Sequence, residues 1–498
     1  MNKVYIIGTG PGDEELLTLK AVESLKKCTA VLYDRLVSNN ILNYLNEDCE
    51  IYYCGKEPGS HYKTQEEINN SLVELAKKGH IVGRIKGGDP YVFGRGGEEV
   101  LALINENIEF EVIPGVTSPI SVLNYAGIPI TQRGMAQSFH IVTGMTAGVQ
   151  NINWEALAKE KGTLVFMMGL NNLNEIIKNL INNGKDENTN VAVVMRGTSS
   201  KQKKVIGILK NIEEKVKEAK LQSPCIIVMG EVVTLSDKLN WYEKKTLYVL
   251  NVCVTRSREQ SSNLKKKLRE LGAEVTEVNS IKIEPTKENL DEVKDRLCDY
   301  DHIILTSVNG VNMFFDYLVE NKIDIRILKA KFSVVGKATR KALEKRGVQA
   351  FIMGREFVGE GLFKALKPHL VKGEKVLLPC SSESRSYLKD EIEKLGLVVD
   401  RIHTYNTVCG KVKNEKAFEE VDYILYTSPS TVNNMITLFG VDKIKEKNNI
   451  AIGPQTFKAL KENSIDCYTC RKHSEEGFLE EIVEIYKSSK ESKGEQND

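Results

Sequence analysis

With 498 residues the chain exceeds one ordinary domain, so roughly two to four domains are expected. Its 69 Lys and Arg residues balance 68 Asp and Glu residues, and the net charge of +1 excludes a general attraction for nucleic acid or a membrane surface. No apolar run is long enough to cross a bilayer and the ten cysteines are scattered, so we expect a soluble, reduced, cytoplasmic protein without a bound metal.

The first strand pattern, at residues 4–7, leads into a glycine-rich loop with the sequence Gly8-Thr9-Gly10-Pro11-Gly12-Asp13. A dinucleotide-binding fingerprint would require a third glycine where Asp13 stands. The carboxylate of Asp13 and the missing N–H of Pro11 both disfavour a pyrophosphate at this loop. A Walker-type phosphate loop is absent from the sequence as well. The loop therefore disfavours a dinucleotide cofactor.

The most informative segment is the loop at residues 87–99, which follows a strand pattern at residues 81–85 and contains five glycines. Glycines allow positive φ and let a ligand approach the backbone closely. The loop also carries Asp89, Arg95 and Glu98, whose side chains can bind a polar ligand. Because open α/β sheets bind ligands at the carboxyl ends of their strands, this loop is the primary candidate site.

Three arginines, Arg35, Arg95 and Arg133, each stand at a strand end or beside a glycine. An arginine forms bidentate hydrogen bonds with carboxylates and keeps its charge when it is partly buried. Each of the three, taken alone, is explained by an ordinary surface ion pair. Taken together, they predict a substrate that carries several carboxylates.

The second half, which follows a polar segment at residues 236–245, contains an internal repeat of strand-turn-helix units. Three pairs of segments match in the same order along the chain: 264–272 with 388–396, 301–307 with 422–428, and 335–343 with 452–460. Three ordered matches predict a duplicated α/β unit, too long in period for a solenoid. Two similar lobes usually leave a cleft between them, which is a common ligand site.

The repeated strands end in Thr306-Ser307 and in Thr427-Ser428, at predicted helix starts. Their hydroxyls and the unpaired backbone N–H groups of a helix start can bind carboxylate or phosphate oxygens. Serine and threonine are also ordinary helix N-caps. The sequence leaves both interpretations open.

The motifs of the first half resemble those of uroporphyrinogen-III C-methyltransferases, which are tetrapyrrole methylases: residues 8–13, 33–38, 87–99, 114–118 and 197–198. The resemblance covers about residues 3–233 and implies a two-lobed α/β fold, a homodimer, and S-adenosylmethionine bound between the two lobes. The cofactor positions that it implies are Pro11, Gly87, Gly88, Asp89, Val92, Thr117, Ser118, Met168 and Gly197. The implied substrate-binding residues are Arg35, Glu98 and Arg133, and the implied catalytic residues are Asp34, Lys56 and Arg95.

The second half resembles uroporphyrinogen-III synthases over about residues 247–486, through its duplicated layout, the two Thr-Ser pairs, Gly336 and Tyr405. This resemblance implies the cyclisation of hydroxymethylbilane with loss of water, and discontinuous lobes of which one spans about residues 284–401. The implied substrate-binding residues are Thr306, Ser307, Thr427 and Ser428. Tyr405 would assist the departure of the hydroxyl group, or it is a tyrosine of the cleft wall.

Together the two resemblances imply a bifunctional enzyme that converts hydroxymethylbilane through uroporphyrinogen III to precorrin-2, toward cobalamin or sirohaem. Its α/β fold would combine a two-lobed methylase at residues 1–245, a two-lobed synthase-like region at residues 246–488 and a disordered tail at residues 489–498. Two other hypotheses remain open. The second half could be a non-catalytic ligand-binding module, or the methylase could act on ribosomal RNA, which the balanced charge disfavours.

Overall fold

The computed structural model describes residues 3–55, 64–145, 152–255, 262–354, 359–412 and 415–492. The chain divides into two compact units, one formed by Met1–Val278 with Val412–Asp498 and the other by Asn279–Lys411. In the described part of the chain the strands form four sheets, three of five strands and one of six, and helices connect them. The predicted α/β class is confirmed. Lys56 lies outside the described residues, as do positions 493–498 of the expected tail.

The first half alternates strands and helices. Its strands are β1 (Lys3–Gly8), β2 (Ala30–Tyr33), β3 (Glu50–Tyr53), β4 (Val82–Lys86), β5 (Glu109–Ile113), β6 (Phe139–Thr143), β7 (Thr163–Met167), β8 (Asn190–Met195), β9 (Lys203–Ile208) and β10 (Cys225–Met229). Its α-helices are α1 (Leu19–Leu25), α2 (Gln65–Lys77), α3 (Gly96–Asn105), α4 (Ser118–Tyr125), α5 (Trp154–Lys159), α6 (Leu173–Asn182), α7 (Ile212–Glu218) and α8 (Ser236–Leu239). Short 3-10 helices lie at Glu14–Leu16, Asn39–Tyr44, Leu170–Asn172 and Glu231–Leu235.

The first sheet has the strand order β3-β2-β4-β1-β5, and all of its strands are parallel. Parallel strands are covered on both faces and need continuous apolar runs; Val4, Ile6 and Ile7 of β1 are fully buried. Because the strands run in one direction, the loops that follow them lie at one edge of the sheet. This edge carries residues 9–13, 34–38, 87–95 and 114–117.

The second sheet has the order β6-β7-β10-β8-β9 and is mixed, since only β6 and β7 are parallel. Helix α6 covers one face. Its buried residues Leu173, Ile176, Ile177 and Leu180 recur at helical spacing and pack in one cluster with Phe166 of β7. The first half therefore has two lobes, each with its own sheet and core.

The second half continues the alternation. Its strands are β11 (Asn251–Val254), β12 (Glu274–Glu277), β13 (Ile281–Pro285), β14 (His302–Leu305), β15 (Lys331–Val334), β16 (Ile352–Met353), β17 (Lys375–Ser381), β18 (Val398–Cys409), β19 (Tyr423–Tyr426), β20 (Asn448–Ala451) and β21 (Cys467–Thr469). Its α-helices are α9 (Ser262–Glu270), α10 (Val308–Glu320), α11 (Lys337–Lys345), α12 (Gly359–Leu366), α13 (Tyr387–Glu393), α14 (Lys416–Glu419), α15 (Pro429–Phe439), α16 (Val441–Lys445), α17 (Pro454–Glu462) and α18 (Glu475–Ser492). Its 3-10 helices are Lys287–Asp299, Ile325–Ile327 and Lys367–His369.

The internal repeat predicted from the sequence is confirmed by the strand order of the two sheets in this half. One sheet has the order β12-β11-β19-β20-β21. The other has the order β18-β17-β14-β15-β16, with β13 added antiparallel to β18. The strands of the matched segments, β14 and β15 in one sheet and β19 and β20 in the other, occupy corresponding places in the two strand orders. The two sheets differ in the added β13 and in the strand at which the chain enters each of them. The unit Asn279–Lys411 includes the span of about residues 284–401 that was expected for the inserted lobe.

The segment that joins the halves is packed, although its composition is polar. The ring centroids of Tyr125 and Tyr242 lie 4.7 Å apart, and those of Tyr242 and Tyr248 lie 5.2 Å apart. The indole N–H of Trp241 donates to the carbonyl oxygen of Asn124 at 3.1 Å. The segment that joins the halves is therefore packed against the first half and is not a free linker.

The end of the described chain differs from the expected disorder. Helix α18 continues to Ser492, so residues 489–492 are helical. Phe478, Ile482 and Tyr486 of this helix are buried at four-residue intervals in the core of their lobe. These buried side chains anchor the helix in the core. It continues into the polar segment because Lys and Glu are good helix formers.

Tyr242 predicts a loss of stability at alkaline pH. Its burial, together with the nearby Asp13 carboxylate, raises the pKa of Tyr242 above the ordinary tyrosine value. A group whose pKa is raised on folding stabilises the protein fully below its unfolded pKa, of about 10, and loses this contribution as the pH rises further. We expect the free energy of unfolding to fall above about pH 10, by up to about 1.4 kcal/mol per pH unit from this residue.

The measurement is urea unfolding followed by tryptophan fluorescence, because both tryptophans lie in the first half. Tyr242→Phe should show a shallower pH dependence than the wild type. Tyr468→Phe, which changes an exposed tyrosine, is the matched control. Identical slopes for Tyr242→Phe and the wild type would contradict the prediction.

Candidate active site

Three loops meet at the carboxyl edge of the first sheet through their backbones. Gly10 and Gly88 exchange two hydrogen bonds: Gly10 N–H donates to the Gly88 carbonyl oxygen at 3.2 Å, and Gly88 N–H donates to the Gly10 carbonyl oxygen at 2.6 Å. A Cβ atom on Gly8 would lie 2.6 Å from the nitrogen of Gly115 and 2.8 Å from the oxygen of Gly88. Both are backbone atoms, so a side chain at Gly8 would separate the loops. The glycines are required by this contact.

Asp89 holds two of these loops together. Its carboxylate accepts hydrogen bonds from Tyr91 N–H at 2.8 Å and from Gly115 N–H at 3.1 Å. A Cβ atom on Gly88 would lie 3.9 Å from the nitrogen of Ser118 and 4.0 Å from the Cα of Thr117. These two residues form the start of α4. The structure therefore brings together most of the cofactor positions that the sequence implied in this lobe.

Three further cofactor positions are Gly87, Val92 and Met168. Gly87 approaches the backbone of Leu36, in the loop after β2. Val92 N–H donates to the carbonyl oxygen of Asp89 at 3.3 Å. Met168 follows β7 of the second sheet, has a positive φ of 55° and is 44% exposed.

The loop after β8 brings the second lobe to the loop after β1. Asp13 N–H donates to Thr198 Oγ1 at 3.4 Å, and a Cβ atom on Gly12 would lie 3.3 Å from the same oxygen. The side chain of Val122, on α4, leaves no room for a Cβ atom at Gly197. Pro11 and Gly197, one implied cofactor position from each lobe, therefore lie on two loops in direct contact.

A buried group of charges lies beneath this edge, and the sequence analysis missed three of its four members. Glu99 of α3 is fully buried and accepts from Arg84 Nε and Lys86 Nζ, each at 2.9 Å. Arg84 Nη2 also donates to Asp34 Oδ2 at 3.2 Å. The available signal was the pair of cations, Arg84 and Lys86, in an otherwise apolar strand that leads into the glycine loop.

Hydrogen bonds orient the carboxylate of Asp34. Its other oxygen accepts from Leu36 N–H at 3.1 Å, and its side chain remains 28% exposed. Burial lowers the pKa of Arg84, but the Glu99 and Asp34 carboxylates outweigh burial and raise it. Burial and the Arg84 cation lower the pKa of Lys86. The Asp34 carboxylate is therefore partly accessible to solvent, and the buried Arg84 cation orients it.

The predicted arginines occupy different positions. Arg95 precedes α3 with a positive φ of 58°, and its guanidinium donates twice to Glu98, at 2.8 and 2.7 Å. This pair is half exposed. Arg35 follows Asp34 and is exposed at the carboxyl edge of the sheet. Arg133 is exposed on another element, a hairpin closed by backbone hydrogen bonds between Gln132 and Ala136.

Large apolar side chains are exposed on the same loops. Leu36 is 56% exposed, Tyr91 59% and Phe93 42%. Apolar groups beside arginines suit a ligand that has an apolar body and charged substituents.

In the unit Asn279–Lys411, Ser307 and Tyr405 form one hydroxyl pair. Ser307 caps α10 by accepting from Gly310 N–H at 2.9 Å, and its oxygen lies 2.9 Å from the Tyr405 hydroxyl. Tyr405 is 5% exposed, and burial raises its pKa despite the Ser307 hydrogen bond, which lowers it. Thr306 stands directly before Ser307, after β14. Tyr405 therefore stays protonated near neutral pH.

In the other unit, Thr427 and Ser428 follow β19 in the corresponding position. Ser428 caps α15: Thr431 N–H donates to Ser428 Oγ at 3.4 Å, and Ser428 N–H donates to Thr431 Oγ1 at 3.2 Å. Ser307 and Ser428 are thus both helix N-caps, as one of the two interpretations predicted. A capping hydroxyl retains further hydrogen-bonding capacity.

Within the ranges that the structure describes, every helix is too short or too polar to span a lipid bilayer. Within the same ranges, His, Cys, Asp and Glu side chains form no group of three or more that could hold a metal ion.

The chain matches two protein families in succession. Residues 3–213 match the tetrapyrrole (corrin/porphyrin) methylases, and residues 262–480 match uroporphyrinogen-III synthase HemD. The sequence is 36% identical to the porphyrin biosynthesis protein HemD of Ruminiclostridium josui, over 97% of this chain and 98% of the relative. It is 42% identical to a uroporphyrinogen-III C-methyltransferase of Bacillus subtilis (strain 168), over 69% of this chain and 71% of the relative.

A solved structure is similar to the first half. It is a crystal structure of uroporphyrin-III C-methyl transferase from Thermus thermophilus complexed with S-adenyl homocysteine, with 38% sequence identity and a TM-score of 0.41. The similarity covers 46% of this chain and 93% of that chain.

The fold and the family matches define a two-part α/β enzyme of tetrapyrrole chemistry. The chain belongs to the family in which a tetrapyrrole methylase is joined to a HemD-type uroporphyrinogen-III synthase in one polypeptide. Both resemblances drawn from the sequence are confirmed, and a bifunctional enzyme is favoured over a methylase with a non-catalytic second half.

The buried charges predict a large effect of Glu99→Gln. The change leaves Arg84 and Lys86 with only Asp34 as an anionic neighbour in this group. Removing one member of a buried ion pair typically costs about 3–5 kcal/mol. We expect a loss of about this size in the free energy of unfolding, measured by urea denaturation with tryptophan fluorescence.

The adjacent change Glu98→Gln is the matched control, because it removes the same charge from the half-exposed pair with Arg95. We expect it to alter stability by no more than about 0.5 kcal/mol. Equal effects of the two substitutions would show that burial of Glu99 is not decisive.

Proposed function

We propose that the second half closes hydroxymethylbilane to uroporphyrinogen III and that the first half then methylates this product twice with S-adenosylmethionine, giving precorrin-2. The observation that carries the proposal is the succession of the two families in one chain. The product of the second half is the substrate of the first. The pathway would then continue in the cytoplasm toward cobalamin or sirohaem.

The glycine loops fit S-adenosylmethionine. A ligand can approach the backbone of Gly10 and Gly88, where φ is positive and side chains are absent. The residues that would hold the donor are Pro11, Gly87, Gly88, Asp89, Val92, Thr117, Ser118, Met168 and Gly197. S-adenosylmethionine, when bound, supplies an electrophilic methyl group, so the chain mainly has to orient the substrate against it.

Asp34 is the residue that we propose as proton acceptor after methyl transfer. Its partly exposed carboxylate is held by Arg84 and by Leu36 N–H, so its position does not depend on the substrate. Arg95 would stabilise negative charge on the substrate. Lys56 remains a proposed partner in this chemistry on the strength of the sequence resemblance.

The substrate of this half is a polyacid with an apolar macrocycle. Arg35 and Arg133, both exposed, would bind its carboxylates, and Glu98 would orient Arg95 through their bidentate pair. The exposed Leu36, Tyr91 and Phe93 would contact the macrocycle.

In the second half, the protonated Tyr405 would donate a proton to the departing hydroxyl group of hydroxymethylbilane. Ser307 accepts from or donates to Tyr405 and would keep its hydroxyl in place. Thr306, Thr427 and Ser428 would hydrogen-bond acetate and propionate groups.

We also propose a homodimer through the first half. Leu101 and Ile104 of α3 stand one helical turn apart and are 61% and 49% exposed. Apolar side chains at this spacing form a surface that a second copy can cover.

The decisive experiment supplies the whole chain with hydroxymethylbilane and S-adenosylmethionine without oxygen. We expect the absorption spectrum of precorrin-2, and uroporphyrinogen III alone when the donor is omitted. Methylation of added uroporphyrinogen III without cyclisation of hydroxymethylbilane would support a non-catalytic second half. Absence of both reactions would reject the proposal.

Arg95→Ala should separate the two activities. We expect kcat/KM for methyl transfer to fall about a hundredfold or more, because a charged group at the reacting ligand is lost, while cyclisation keeps its wild-type rate. Both are measured in separate assays on the same preparation.

Lys26→Ala is the control for that experiment. It also removes the cation of an exposed ion pair three residues apart, with Glu23, but it stands before β2 at the opposite edge of the sheet. We expect both activities to survive this change. Wild-type methyl transfer in Arg95→Ala would remove Arg95 from the site.

A further inference from the structure

The first lobe of the second half contacts the loops that we assign to the methyl donor. Residues 246–278 and 415–492 of this lobe belong to the same compact unit as the first half. These donor loops are residues 10–16, which follow β1, and residues 196–202, which follow β8. The inference rests on the proposed function, because it concerns the same donor site.

The first donor loop is held by a buried cluster of charges. Glu14 is 5% exposed and lies 3.4 Å from Lys265 Nζ. Arg269 forms an ion pair with Glu14, and Lys265 forms one with Glu277. Two anions and two cations, from both halves, balance each other away from water. Because a buried charge is costly without its partner, each half depends on the other here.

Asn40 extends this attachment to the loop after β2. Its side-chain N–H donates to the Val275 carbonyl oxygen at 2.6 Å, and its oxygen accepts from Glu277 N–H at 3.4 Å. Both partners are on β12, which is the edge strand of its sheet. The amide thus satisfies backbone groups that an edge strand leaves unpaired.

The second donor loop is held by the same lobe. Arg196 Nη2 donates to both carboxylate oxygens of Glu420, at 2.6 and 2.9 Å. Glu274 accepts from the backbone N–H of Ser200 at 3.0 Å and from its hydroxyl at 2.8 Å. These contacts flank the segment that contains Gly197 and Thr198.

The two donor loops also touch each other, through Asp13 N–H and Thr198 Oγ1. One lobe of the second half therefore holds both loops, and the loops carry the implied donor positions Pro11 and Gly197. Movement of either loop would change the width of the proposed donor site.

We propose that this lobe is a positioning element of the methyltransferase and that Glu274 and Glu420 are positioning residues for S-adenosylmethionine. They act through Ser200 and Arg196. Donor affinity in this chain then depends on a region that carries the other activity. The second half would thus both supply the substrate of the first half and hold its donor loops in place.

The effect can be separated from cyclisation because of the sheet geometry. Glu274 is the first residue of β12, and Glu420 precedes β19. Thr427 and Ser428 follow β19, at the opposite edge of the same parallel sheet. Changes at Glu274 and Glu420 should leave the proposed cyclisation residues in place.

The test uses the full chain with Glu274→Ala and Glu420→Ala combined. Titration calorimetry with S-adenosylhomocysteine should give a Kd raised about fivefold or more. The KM for S-adenosylmethionine should rise by a similar factor, while kcat at saturating donor and the rate of cyclisation stay at wild-type values. A general loss of folding would lower all of these activities together.

The matched control combines Glu270→Ala and Glu419→Ala, which remove the same two charges from exposed positions of the same lobe. Wild-type donor affinity is expected there. Reversing the pair, with Arg196→Glu and Glu420→Arg together, should recover affinity relative to Glu420→Arg alone.

The possible failures are distinguishable. If the wild-type chain binds S-adenosylhomocysteine and the Glu274/Glu420 variant binds it equally well, the positioning role is wrong and the donor site stands. If cyclisation falls in step with donor affinity, the positioning role is also wrong. If the wild-type chain gives no binding heat, the donor site is rejected, and the positioning role with it.

Discussion

The close backbone contact of Gly8, Gly88 and Gly115 is the constraint on which the first half depends. β1 lies between β4 and β5, so the loops after these three strands reach the same point, and a side chain on Gly8 would separate them. The glycines leave backbone N–H and carbonyl groups in place of side chains. Asp89 reinforces the contact by accepting from Gly115 N–H. A site of this kind recognises a ligand through the backbone and depends on neighbouring loops for its charged groups.

Those charges are arranged in two layers. Glu99, Arg84 and Lys86 are buried beneath the loops, and Asp34 connects them to the exposed edge. Burying charges is unfavourable, and the two anions compensate the two cations only while the geometry is kept. The arrangement orients Asp34 before any substrate binds. Arg95 is half exposed in its pair with Glu98, so it can exchange this partner for a carboxylate of the substrate.

The second half uses one fold twice, and its first lobe has two separate surfaces. The start of β12 and the residues before β19 contact the donor loops through Glu274 and Glu420. The other edge of the same parallel sheet carries Thr427 and Ser428. Parallel strands make this separation possible, because the residues that precede the strands lie at one edge of the sheet and the residues that follow them lie at the other edge. Under the proposed roles, one lobe would serve two chemistries without sharing a residue between them.

The amino-acid sequence by itself determined the α/β class, the duplicated unit and the candidate loops, because apolar runs, glycines after strands and repeated segments are local patterns. It also located Asp34, Arg95 and Tyr405, whose roles stay predictions. Only the tertiary structure revealed that Arg84 and Lys86 pair with Glu99, and that Asn40 meets Val275, 235 residues away. It also extended α18 to Ser492, where composition suggested disorder. These features depend on contacts between distant segments, and such contacts form only when the sheets and helices have packed.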